Sequence, residues 1–206
     1  MLIDITRTLF ENTYVYPGDP CFHSELIFSI SKKDICNVSS LQMGTHTGTH
    51  IDAPKHFFDG GADILSVPLD VFCGKAKVLD IQDQNDISSK NLITKNIEEN
   101  DIILFKTSNT RFDGRSPINP YTGLASDAAD YLVSKKIKLV GIDYLSIESE
   151  TSSTFYVHKT FLGNNIPILE NIDLKNAAEG IYKLYCFPLA IKGADAAPVR
   201  AVLETY

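Results

Sequence analysis

Three of the five histidines in this 206-residue chain fall within eleven residues, His46-Thr-Gly-Thr-His50-Ile-Asp52-Ala-Pro54-Lys-His56. No other feature restricts the fold so strongly. Three imidazoles and a carboxylate cannot be buried together without partners, because desolvating each polar group is costly. Neutral imidazole and carboxylate are also the ligands that a borderline divalent metal prefers. The segment is therefore read as a metal-binding one, the plain alternative being a polar strand with solvent-facing histidines.

The spacing limits its conformation. His46, His50, Asp52 and His56 share parity, so an ideal strand would put them on one face. Full extension would still hold His46 and His50 roughly 13 Å apart. That is about the limit for two side chains meeting at one ion through bonds of about 2.1 Å. The chain must contract between them, and Gly48 permits a turn or bulge there. A helical i, i+4 pair would also suit one metal, but Thr-Gly-Thr is a poor helix former and Pro54 follows closely. The motif belongs on a strand-to-loop segment. Two remote groups could complete a site: His158, and Glu170 at the end of the apolar run Ile166-Pro-Ile-Leu. On the residues alone, each is open between ligand and surface group.

Around the motif, short β-rich runs alternate with helical ones. Residues 2–5, 23–31, 36–43, 75–81, 102–105, 138–143, 166–169, 184–191 and 199–203 read as strands. The uninterrupted apolar run Ile102–Phe105 suits a strand covered on both faces. Ser126 is placed to cap a helix through about Lys135, with Ala128, Ala129, Leu132 and Val133 as its apolar stripe. No linker divides the chain, so residues 1–206 are read as one α/β domain with a mixed sheet. Thr45, Thr47 and Thr49 are read as favouring β structure.

Composition excludes several partners. The net charge of −7 argues against a nucleic-acid backbone or an anionic membrane, and no basic run exceeds Lys32-Lys33 or Lys135-Lys136. No apolar stretch approaches the length of a membrane span. The segment Met1–Thr6 has neither the basic nor the apolar region of a secretory signal. Cys21, Cys36, Cys73 and Cys186 are scattered, so reduced thiols in a cytoplasmic protein are expected. No G-x-S-x-G, Walker or Rossmann glycine pattern is present.

The string H-x-G-T-H-x-D-x-P-x-H resembles the signature of the cyclase family that includes bacterial kynurenine formamidases and isatin hydrolases. The flanking blocks Ile3–Thr6, Tyr16-Pro-Gly-Asp19, Val140–Asp143, Pro188-Leu189, Gly193–Asp195 and Pro198–Arg200 are similar to that family's blocks as well. The resemblance implies a swivelling β/β/α fold and a divalent-metal hydrolase of a small amide, usually a homo-oligomer (dimer or tetramer). An N-formylkynurenine-type substrate comes first; an isatin-like lactam, a cyclase or dehydratase on the same site, and a non-enzymatic metal-binding protein are the alternatives. It implies that His46, His50 and Asp52 hold one zinc, that Asp52 bridges to a second zinc held by His158 and Glu170, and that His56 is catalytic. Manganese is an alternative metal.

Metal-activated water would attack the amide, with His56 carrying the proton to the leaving nitrogen. His56 could instead be a further ligand or support one. The chain departs from the family at Tyr16, where formamidases carry a substrate-contacting Trp, and at Ala196-Ala197, where Gly-Ala is commoner and a lost glycine would reshape a turn. Tyr16 is open between substrate contact and loop packing. Asp143 reads as a structural acceptor with ligation the alternative, and Arg200 as a substrate-carboxylate ligand or an ion-pair partner.

Overall fold

The computed structural model describes residues 1–82 and 86–206. Among the described residues, nine strands form one mixed sheet in the order β1-β11-β9-β5-β6-β7-β8-β4-β10. They are β1 (Leu2–Asp4), β4 (His50–Asp52), β5 (Cys73–Asp80), β6 (Ile102–Lys106), β7 (Leu139–Ile142), β8 (Ile168–Glu170), β9 (Gly180–Tyr185), β10 (Ala196–Pro198) and β11 (Val202–Thr205). Strands β5 to β8 run parallel to their neighbours; β9 and β4 pair antiparallel at the two flanks. A separate antiparallel ribbon joins β2 (His23–Phe28) to β3 (Val38–Gln42).

The buried run in β6 is apolar throughout because both of its faces are covered. Ile102 and Leu104 enter a core shared with Ile5, Ile51, Tyr182, Leu184 and Leu203 from the outer strands. Ile103 and Phe105 point the other way and meet the helices. Those helices are α1 (Ser89–Leu92), α2 (Ser126–Ser134) and α3 (Tyr156–Gly163). Alternate residues of a strand face opposite sides, so two cores on one strand leave no polar position. In α2 the stripe Ala128, Ala129 and Leu132 is buried as the periodicity requires, while Val133 packs partly buried at its edge.

Several expectations shift. Ala125, not Ser126, is the N-cap of α2, and no side chain caps it. The strand expected at 184–191 lies earlier, at Gly180–Tyr185; Pro188, which has no N–H to donate, makes only an isolated bridge to Val199. The last strand starts at Val202, three residues late, because β10 occupies Ala196–Pro198. The pair Ala196-Ala197 therefore lies in a buried strand against β4, not at a turn. The three threonines are not β-formers. Residues 45–49 form turns and bends, where the Thr45 hydroxyl donates to Asp195, Thr47 accepts from the Gly44 N–H, and Thr49 donates to the Asn171 carbonyl. Short hydroxyl side chains often favour such local hydrogen bonds over the ladder. No helix among the described residues is long and apolar enough to cross a membrane, and all four cysteines are free.

Candidate metal centre

Strand β4 supplies the centre of the site. Ile51 is buried in the core, which leaves His50 and Asp52 on the opposite face. In register, His50 lies directly across from Glu170 at the end of β8. Cross-strand residues of this kind have Cβ atoms about 5 Å apart, so pairing alone brings the remote glutamate to the histidine. The contraction expected before β4 occurs at Gly48, which takes φ +70° and whose carbonyl accepts from His50 Nδ1 at 2.8 Å. A Cβ at this glycine would also stand 2.5 Å from Leu9 Cδ2. That turn carries His46 back over β4. Pro54 then opens a short 3-10 turn, Pro54–His56, which presents His56 on the same side.

His158 comes from the first turn of α3. It is buried, contrary to the surface alternative. Glu148, which sequence reasoning missed, holds it in place: one carboxylate accepts from the backbone N–H groups of Val157 and His158 and from His158 Nδ1 at 2.7 Å. It thus satisfies the free N–H groups at the helix start, where a negative charge also suits the helix dipole. Asp195, quoted above only for its block, was likewise unassigned. It meets His46 Nε2 at 2.9 Å and His56 Nδ1 at 3.5 Å.

Six expected residues therefore converge: His46, His50, Asp52, His56, His158 and Glu170. Three imidazoles share one arrangement. Each engages an oxygen through one ring nitrogen (Asp195 for His46, the Gly48 carbonyl for His50, Glu148 for His158) and turns the other toward the Asp52 and Glu170 carboxylates. His46 Nδ1 and His50 Nε2 lie 2.9 and 3.3 Å from Asp52 Oδ1, and His158 Nε2 lies 3.3 Å from Glu170 Oε1. Yet His50 Nε2 and both Asp52 oxygens are fully buried without a hydrogen bond. Lone pairs that face one another in a buried space repel unless a cation sits among them. Two trios of ligand atoms, His46-Asp52-His56 and His50-Asp52-Glu170, each lie within 4.8 Å of one another and share Asp52. The donor set and the orphaned atoms fit a divalent metal.

The electrostatics agree. Burial acts to lower the pKa of His50 and of His158, but the carboxylates around them prevail and push each to about 10. Burial acts to raise Asp52, yet His46 and His50 hold it well below the usual carboxylate range. The pocket thus attracts positive charge. His56 differs: burial is its largest influence and its pKa falls. Its side chain is also the most open of the four, 29% exposed against 2% for His50.

A cavity of about 510 Å³ lies over the cluster, with Tyr16, Phe57, Leu145 and Phe155 among its walls. Tyr16 thus stands at the site and not merely in loop packing. Phe155 holds a left-handed backbone conformation, φ 52° and ψ 43°, at the N-cap of α3, a strained choice for a bulky residue. Asp143 is a structural acceptor: Thr107 donates to it through N–H and hydroxyl, and burial raises it to about 6. Arg200 pairs with Asp4 on the surface.

Comparison with known proteins gives consistent relatives. The family model described as "Putative cyclase" matches residues 3–149. The kynurenine formamidase of Bacillus cereus is 36% identical over 203 residues, covering 98% of this chain and 96% of that protein. That of Bacillus anthracis is 35% identical with the same coverage. A solved structure described as a potential metal-dependent hydrolase with cyclase activity superposes with TM-score 0.86 at 35% identity, covering 98% of this chain and 96% of its own. Isatin hydrolase A from Labrenzia aggregata shares the fold, with TM-score 0.89 at 20% identity, covering 100% of this chain and 94% of its own.

Proposed function

Since the chain belongs to the cyclase family, we propose that it is a metal-dependent amidohydrolase that cleaves an aryl formamide of the N-formylkynurenine type to formate and an aryl amine. One observation carries the reading: His50 Nε2 and both Asp52 carboxylate oxygens are buried without a hydrogen-bond partner, beneath a cavity large enough for an aryl substrate. The full-length likeness to kynurenine formamidases points to the substrate.

His46, His50 and Asp52 would hold one ion, and Asp52, His158 and Glu170 a second. Zinc suits this nitrogen and oxygen donor set, and manganese would also be accepted. Bound there, a divalent ion would supply Lewis acidity, which would acidify a water and polarise a carbonyl oxygen. His56 is left for proton transfer. Although its ring lies near His46 and Asp52, it is the most open imidazole of the cluster, and its lowered pKa keeps it neutral at pH 7. It takes the proton of the attacking water and delivers it to the amide nitrogen as the C–N bond breaks. Asp195, 3.5 Å from His56 Nδ1, orients the ring. Tyr16, with Phe57 and Phe155, offers the substrate ring an aromatic wall.

The reading includes residence in the cytoplasm and a homodimer built on the β2–β3 ribbon. Every residue of both strands is exposed. Seven large apolar side chains of this arm, Leu26, Ile27, Phe28, Ile30, Ile35, Val38 and Leu41, are 42% to 101% exposed. Large side chains this open suit a standard interface, to which each partner gives about 800 Å². A two-stranded ribbon with both faces in water is marginal by itself, and the arm carries both charge signs, Glu25 and Asp34 with Lys32 and Lys33, as a self-complementary contact requires.

The function is tested with purified protein loaded with zinc or manganese. Formate release from N-formylkynurenine is expected, abolished by a chelator and restored by metal. Absence of turnover with either metal would refute the reading; a product lighter by one water would establish dehydration in its place.

A further inference from the structure

A second cavity adjoins the one over the histidine and carboxylate cluster. Tyr16, Pro17, Leu145 and Ser146 line both, and the second lobe measures about 260 Å³. Its chemistry differs from that of the first. Tyr14, Tyr121 and Tyr144 line it, with the Tyr121 and Tyr144 ring centroids 4.5 Å apart and the rings tilted by 35°. The Tyr144 hydroxyl is already used, donating to the Ile118 carbonyl and accepting from its N–H. Glu150 is the one charged residue that lines this lobe, and among the described residues no basic group pairs with it.

A free carboxylate beside several aromatic faces is an environment for a cation. The carboxylate attracts it by charge, and the π faces attract it through their quadrupoles. No Lys or Arg lines the lobe to balance Glu150 internally. Because Tyr16, Pro17, Leu145 and Ser146 line both lobes, the two are close enough for one small molecule to occupy both.

We propose that the second lobe is the subsite for a primary ammonium group on the substrate arm remote from the scissile amide, with Glu150 as its counter-ion and Tyr121 and Tyr144 as its aromatic wall. The inference rests on the reading that the amide is cleaved in the first lobe. It makes Glu150 a specificity-determining residue: it selects aryl formamides that carry an amino group over neutral ones.

The test uses metal-loaded protein, Glu150→Gln, and two aryl formamides that differ only in having an ammonium group or a hydrogen on the side arm. Glu150 is on the surface, so the variant is expected to fold. Its KM for the ammonium substrate should rise roughly fivefold, the range of a partly exposed ion pair, with kcat unchanged. The KM of the desamino substrate should be the same in both proteins. The wild-type preference for the charged substrate should shrink as salt is raised.

Calorimetric binding of the two corresponding aryl amines gives a readout independent of turnover, with the same roughly fivefold loss for the charged amine alone. Equal changes for both compounds, or none, would overturn the subsite; a lobe that simply takes neutral aromatic surface predicts that outcome. Charge-selective binding without hydrolysis of either formamide would refute the proposed function and keep the subsite. Hydrolysis of both without charge preference would do the reverse.

Discussion

Replacing Glu148 by Gln isolates a residue that contacts His158 only from the side turned away from Glu170. Its carboxylate meets His158 Nδ1 at 2.7 Å and accepts from the Val157 and His158 backbone N–H groups at 3.3 and 3.2 Å. In the wild type the carboxylate can only accept, so Nδ1 carries a proton and Nε2, toward Glu170, is the nitrogen that would give up its proton to a metal. A glutamine has the same shape but one acceptor oxygen. Turned the other way, its amide donates to Nδ1 and moves the proton to Nε2, the nitrogen that faces Glu170. Loss of such a carboxylate–histidine contact typically weakens metal affinity by about 10- to 100-fold, about 1.4–2.7 kcal/mol. Loss of the negative charge at the start of α3 adds about 0.3–1 kcal/mol of lost stability.

The assay is competition for zinc against a chromogenic chelator, with thermal unfolding of the metal-free protein measured alongside. The expected result is a tenfold or greater loss of affinity with a modest fall in Tm. Wild-type affinity in a folded variant would refute the argument that Glu148 sets the protonation of His158. So would a large loss of stability with affinity intact.

His56→Ala should keep its metal and lose hydrolysis by about two orders of magnitude or more; metal content and turnover measured on one preparation check this, and full activity would remove His56 from the mechanism. Because His56 must be neutral to accept a proton and its pKa is lowered, the acid limb of the wild-type rate should have its midpoint below 6.5 and vanish in that variant. Changing Leu26 and Leu41 together to Ser, on the arm away from the site, should convert a homodimer to monomer in sedimentation; a wild-type protein that is already monomeric would contradict the interface.

What the sequence disclosed was mostly local. His46, His50, Asp52 and His56 are legible because eleven residues contain them, and Gly48 had to supply the contraction that its φ of +70° provides. Glu170 depends on strand register, which a pattern of apolar residues does not specify; its place follows only once β4 is known to pair with β8. Glu148 is less visible still. Ten residues before His158, it looks like any acid in a loop, and its role exists only where α3 begins. Helix α3 itself lacks a starting signal, since Phe155 occupies the cap position in a left-handed conformation without a capping side chain. Strand β10 was hidden because Ala-Ala-Pro has little β preference, and its burial against β4 comes from the sheet.

Asp52 belongs to both trios of ligand atoms. The two trios therefore cannot be retuned one at a time through this side chain. An Asp52→Asn exchange would alter both trios at once, whereas an exchange at His46 or at Glu170 would alter only one. Were two ions to bind, the joint residue would make loading a collective property: the first to arrive would fix the carboxylate that the second must share.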